Sequence, residues 1–126
     1  MSKNIIYSPS APEPIGPYSQ AVMTGNMLFI SGQIAIDRAT GNFVNVNIKD
    51  EAGQVMKNID YILQAAGLSF ANVVKSTIFL RNMGDFPQVN EVYGSYFKEL
   101  PPARETVEVS KLPKDANVEI SCIAVK

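Results

Sequence analysis

The chain has no histidine and one cysteine, Cys122. These two counts exclude imidazole-based triads, imidazole-based zinc sites, multi-cysteine metal clusters and any internal disulfide. Cys122 alternates with Ile120 and Ala124, the pattern of a buried core thiol. Charge is sparse and balanced: 18% of residues are charged and the net charge is -1. The basic residues are scattered, and none is interleaved with aromatics as a base-stacking platform requires, so nucleic acid is not an expected partner. No apolar run is long enough to span a membrane. Met1-Ser2-Lys3-Asn4 leads into no signal-peptide core, so a cytoplasmic location is expected. There is no glycine-rich phosphate loop, since Gly84 and Gly94 stand alone. No internal repeat and no motif for a metal, nucleotide or prosthetic group is present, and no cofactor is expected.

What is present is a globular composition, 46% hydrophobic over 126 residues. That length fits one domain, residues 1–126. A chain this size buries roughly two-thirds of its unfolded surface, enough for one core, with oligomerisation a further help.

Asn4 to Tyr7 reads as an edge strand. The segment Ser8 to Pro17 is dense in proline and must be an extended loop. A strand runs from Tyr18 through about Met23, turns at Thr24-Gly25-Asn26, and pairs with Met27 to Ile34. A second turn at Asp37–Asn42 leads to a short return strand, Phe43 to Val46. A first helix spans about Asp50 to Ala66, with Val55, Ile59, Ile62, Leu63 and Ala66 on one face. Asn47 or Asp50 caps its start, and Gly67 ends it. Val73 to Leu80 is a strand. A second helix starts near Asp85, its expected cap, and continues to the Pro101-Pro102 stop, with Val89, Val92, Tyr93, Tyr96, Phe97 and Leu100 as its apolar stripe. The last strands are Ala103 to Val109 and Asn117 to Val125. The order of strands, helix, strand, helix, strands predicts an α+β fold: one mixed sheet, both helices on one face, each linking strands that run parallel.

Two charged residues stand out. Arg104 follows the rigid proline corner and opens the Val107/Val109 alternation, so its planar fork is presented from a defined place. Glu119 lies between Val118 and Ile120 and points off one sheet face. Taken singly, each is ordinarily a solvated or structural charge. Ser31-Gly32 interrupts a strand, which marks either a plain bulge or a close approach of backbone to ligand. Asn90 falls off the centre of the helix stripe, as a solvated polar residue would.

The pieces Pro102-Ala103-Arg104, Val107-Glu108-Val109, Lys111-Leu112-Pro113-Lys114-Asp115 and Val118-Glu119-Ile120 resemble, in order, the signature of the Rid family, the reactive intermediate deaminases also called the YjgF family. Ile15-Gly16-Pro17-Tyr18-Ser19-Gln20, Ser31-Gly32-Gln33 and Val89-Asn90-Glu91-Val92-Tyr93 extend the match over nearly the whole chain. The resemblance implies a chorismate-mutase-like fold, a homotrimer with clefts between subunits, and hydrolysis of 2-enamino or 2-imino acids to 2-keto acids and ammonia. It implies that Arg104 clamps the substrate carboxylate, Glu119 handles water and protons, Tyr18 closes the cleft, backbone groups around Ser31 and Gly32 bind the carboxylate or imine region, and Asn90 is a supporting polar contact. Family members often carry a small residue directly after the arginine and a cysteine one place further. Here those positions hold Glu105 and Thr106, so Thr106 takes the thiol's place beside Arg104.

Geometry adds its own expectation. If the last two strands form a hairpin, Arg104 and Glu119 lie ~13 Å apart; with a strand between them they still lie ~9–10 Å apart. Neither arrangement makes an ion pair within one chain. The rival readings are a non-catalytic 2-keto acid binder, which the same clamp would serve, and an RNA-acting translation inhibitor, which the acidic composition disfavours.

Overall fold

A computed structural model describes residues 2–126. Its strands are β1 (Asn4–Ile6), β2 (Ala21–Thr24), β3 (Met27–Gln33), β4 (Val73–Leu80), β5 (Ala103–Glu108) and β6 (Val118–Val125). They form one mixed sheet in the order β1-β2-β3-β6-β4-β5. Helix α1 (Ile48–Ala65) links β3 to β4, and α2 (Phe86–Gly94) links β4 to β5. β4 and β5 pair in parallel. β3 and β4 both run antiparallel to β6, and so parallel to each other. The expected α+β layout is therefore present.

Alternation along β6 sets the layers. Val118, Ile120, Cys122 and Ala124 are buried with Ile78 and Leu80 of β4, Leu28 of β3, and Val55, Ile59 and Leu63 of α1. The opposite face carries Phe29, Val74 and Val107, each more than 40% exposed. That face carries these apolar residues beside Lys75, Thr77, Glu105 and Glu119, and is uncovered within one chain. Cys122 sits in the core against Ser76, and burial raises its thiol pKa to about 11, so it is not a ready nucleophile.

The helix termini follow local chemistry. The Asn47 side chain accepts from the Asp50 N–H and caps α1. Gly67, at φ +74°, ends it in the left-handed turn that glycine adopts freely.

Four expectations need correction. The strand placed from Tyr18 begins only at Ala21, leaving Tyr18 in the loop. Phe43 to Val46 is not a strand; one bridge, Ile36 to Phe43, is all that forms. Asp85 makes no side-chain cap; it ends a short turn that Asn82 caps through the Gly84 N–H. Helix α2 stops at Gly94, not at the prolines. Phe70 packs edge-on against both Tyr96 and Phe97 and draws those rings out of helical register. Leu100, barred from the helical region by the proline that follows, takes φ 48° and is 94% exposed.

Candidate active site

β4 lies between β5 and β6, and this decides where the charged residues go. In register, Ser76 of β4 stands beside Arg104 on one side and Cys122 on the other. Phe79 likewise stands between Val107 and Glu119. Ser76 and Cys122 face the helices, so Arg104 does too, while Glu119 projects from the opposite, open face. The seven expected site residues therefore fall into two groups on the two faces of the sheet.

The first group is built around Arg104. Its guanidinium carbon lies 5.3 Å from the centre of the Phe86 ring and 5.1 Å from that of Tyr93. Nη1 donates to Asn90 Oδ1 at 2.7 Å. Phe86, Asn90 and Tyr93 recur at i, i+4 and i+7, so α2 offers them on one face. Asn90 is exposed, as expected of a helix polar residue, and is also a partner of Arg104. Among the described residues Arg104 has no carboxylate partner, and its remaining donors are open. Cation–π contacts and one amide hold the fork without neutralising it. Thr106 projects to the same face, and its hydroxyl is buried without a hydrogen-bond partner. Tyr93 Oη is also buried with no well-formed hydrogen bond among the described residues, though Ser76 lies close enough to it to offset part of the effect of burial. Burial raises the Tyr93 pKa, so it stays a neutral phenol.

The second group surrounds Glu119 in a cleft of about 80 Å³ lined by Tyr18, Gly32, Ile15, Ile34 and Pro113 among others. Glu119 is half-buried, accepts no hydrogen bond among the described residues, and has its pKa raised by desolvation. The ladder between β3 and β6 slips between Ile30 and Gln33, and Gly32 lies at that bulge. A methyl group at Gly32 would stand 2.8 Å from Glu119 Cδ, closer than any real contact. The glycine is thus the space into which the carboxyl folds. Gly32→Ala is expected to push Glu119 out of the cleft and to cost at least tenfold in kcat, with thermal stability little changed. Steady-state kinetics beside a melting curve check this.

The loop bearing Tyr18 is stitched down from below. The buried Gln20 side chain accepts from the Ser8 N–H at 2.7 Å and donates to the Ser8 and Pro12 carbonyls. Arg38 donates to the Ala11 carbonyl at 2.8 Å and pairs with Glu13 at 2.9 Å. Ser31 Oγ donates to the Ser19 carbonyl at 2.6 Å, and the Ser31 N–H donates to the Gln20 carbonyl. Ser31 therefore anchors the Tyr18 segment; it does not line the cleft. Tyr18 is half exposed at the rim, its hydroxyl accepting from the Ile15 N–H at 3.4 Å. Sequence reasoning missed Phe86, Gln20 and Arg38 as parts of the site; only the i, i+4, i+7 spacing on α2 carried a usable signal.

Glu105 departs to the open face, where it accepts from Thr77 and pairs with Lys75 at 3.2 Å. It is a surface contact and leaves Arg104 unopposed.

One group offers a cation with open donors, the other a carboxyl poised to take a proton. Proteins of similar sequence and fold are known. Residues 8–126 match the Endoribonuclease L-PSP family, and the chain belongs to it. A RutC family protein of Pyrococcus horikoshii is 55% identical over 98% of this chain and 98% of its own length. A 2-iminobutanoate/2-iminopropanoate deaminase of Dermatophagoides farinae is 48% identical over 98% and 96% respectively. The structure of YyfA from Yersinia pestis, of the conserved Rid protein family, superposes with a TM-score of 0.97 at 48% identity, covering 99% of this chain and 100% of that one.

Proposed function

We propose that this protein hydrolyses reactive 2-imino and 2-enamino acids, the products of pyridoxal-phosphate enzymes acting on serine or threonine, to 2-keto acids and ammonia. The observation that carries the reading is the Arg104 guanidinium, held by Phe86, Tyr93 and Asn90 and left without a carboxylate. A cation fixed in this way suits bidentate capture of a small carboxylate. The named deaminase relative supports the reaction class.

The two groups of residues face opposite ways, so one chain cannot close a site around one small substrate. A neighbouring subunit presents its Arg104 group over this chain's Glu119 cleft, in a ring of three. The exposed apolar residues Phe29, Val74 and Val107 on the uncovered face support such an assembly. A contact between two different surfaces repeated around an axis closes into a ring.

In the joined cleft Arg104 binds the substrate carboxylate, with the Asn90 amide and Thr106 hydroxyl beside it. An enamine first tautomerises to the imine, gaining a proton at C3 and losing one from nitrogen. Glu119 accepts a proton from water as the oxygen attacks C2 and returns it to nitrogen, giving the neutral carbinolamine. Glu119 then takes the proton of the C2 hydroxyl and passes it to the amino nitrogen, so that the C–N bond breaks, the C2 oxygen becomes the keto group and ammonia leaves. Tyr18 closes the rim. The energetic demand is small, because imines hydrolyse unaided: a tenfold to hundredfold gain needs only about 1.4–2.8 kcal/mol. One oriented water and one clamp supply that.

A serine or threonine dehydratase generating the enamine in place provides the test, with keto-acid release followed in real time. Acceleration by the wild-type protein is the expected result. Release at the unaided rate, with 2-ketobutyrate still bound through Arg104, would make the protein a carboxylate binder instead.

A further inference from the structure

Glu51 sits in the first turn of α1, at 0% exposure, and takes no part in the chemistry above. A buried carboxylate is costly unless every lone pair is used. Both of its oxygens are given to one residue. Oε2 accepts the Asn117 backbone N–H at 2.7 Å, and Oε1 accepts Asn117 Nδ2 at 2.8 Å. Asn117 in turn accepts the Arg81 N–H at its carbonyl, 3.1 Å away. Each Glu51 oxygen therefore has one donor, both from Asn117.

Asn117 is the last residue before β6, two positions from Glu119. The chain reaches it through Lys114 and Asp115, both in the left-handed region at φ 55° and 56°. Such strain persists only where the surroundings hold it. Arg81 Nη1 holds the Asp115 carbonyl at 3.2 Å, and Glu51 holds Asn117. Pro113, at the start of this turn, is itself a wall of the Glu119 cleft. The turn thus sets both the cleft wall and the strand position from which Glu119 projects.

We propose that Glu51 is a positioning residue for the reaction, fixing Asn117 and thereby the place of Glu119 against Gly32. This rests on the deaminase reading, but only in what Glu119 is positioned for. Arg104 lies on another strand and the other face, so substrate clamping is independent of it.

The test compares wild type, Glu51→Gln, Asn117→Asp and the double variant. In Glu51→Gln the new side-chain amide meets two donors with one acceptor and a donor, so one hydrogen bond is lost. In the double variant that amide accepts the backbone N–H and donates to the carboxylate that Asn117→Asp introduces, restoring both bonds with the charge unchanged. Glu51→Gln is expected to lower kcat at least tenfold with KM within twofold, and the double variant to recover most of it. A fold-only role predicts something else: kcat unchanged in folded Glu51→Gln, or kcat and KM worsening together with melting temperature and no recovery in the double variant. Either result overturns the proposal. If Glu51→Gln does not fold, the double variant carries the test: both bonds are restored there, and a kcat tenfold or more below wild type in that folded protein overturns the proposal. Carbon-13 titration of the Glu119 carboxyl in the same proteins separates the two ideas. A wild type inert toward imines defeats the deaminase reading, while a Glu119 titration that moves in Glu51→Gln and returns in the double variant still supports the positioning role, and one that does not move rejects it.

Discussion

Arg104→Ala is expected to lower kcat/KM by about tenfold to hundredfold, to the floor set by the unaided reaction. A charge-assisted hydrogen bond to a carboxylate contributes about 1.5–3 kcal/mol, and the fork makes two. Losing both removes about 3–6 kcal/mol, more than the about 1.4–2.8 kcal/mol gained over the unaided reaction, so the variant falls to that floor. The loss should appear in KM and in kcat, because an unclamped imine no longer presents C2 to the water. Stability should barely change. The cation–π contacts with Phe86 and Tyr93 contribute about 0.5–1 kcal/mol each at an exposed site. Arg104→Lys keeps the charge but not the planar fork, and should fall between the two. The coupled dehydratase assay, with a melting curve for each variant, checks all of this.

Glu119→Gln should affect kcat alone. General acid–base groups contribute typically about 10²–10⁴, so activity should fall to the unaided rate while KM stays within a few-fold. The pH profile carries a sharper statement. Desolvation raises the Glu119 pKa above the ordinary 4.5. In the substrate complex the substrate carboxylate neutralises Arg104, so burial sets the titration. Wild-type kcat should fall as pH drops through that raised value, with its acid midpoint above 4.5. The stability sign follows from the same shift. A carboxyl with a raised folded pKa contributes stability that is fully present below the unfolded value and lost as pH rises through the folded one. Glu119→Gln should therefore match wild type below about 4.5 and melt higher than wild type at neutral pH, measured without substrate. Kinetics and melting across pH test both halves.

Much of this is legible in the chain. The Val118–Ile120–Cys122–Ala124 alternation places β6 and its two faces, and the helical spacing from Val55 to Leu63 places α1. The offset of Arg104 from Glu119 is legible as a distance no ion pair could span. The strand order is not. A short connection between the two expected strands, Ser110 to Ala116, invites a hairpin, and only tertiary packing inserts β4 between β5 and β6. That insertion turns the two charges to opposite faces. The end of α2 is hidden because Tyr96 and Phe97 keep helical spacing while serving Phe70 instead. The Ser31 hydroxyl is tied to the Ser19 carbonyl, and no local pattern shows that. Glu51 looks like any acid in a first helical turn; its partner lies 66 residues away.

Subunit complementation tests the central claim, that the site is completed across two chains. Arg104→Ala and Glu119→Gln are each inert at a shared cleft, but a mixed assembly contains clefts with Arg104 from one chain and Glu119 from the next. Co-folding the two variants in equal amounts should give roughly one competent site in four, and so about a quarter of wild-type activity. Mixed assemblies no more active than either parent, under conditions where subunits demonstrably exchange, would contradict the account.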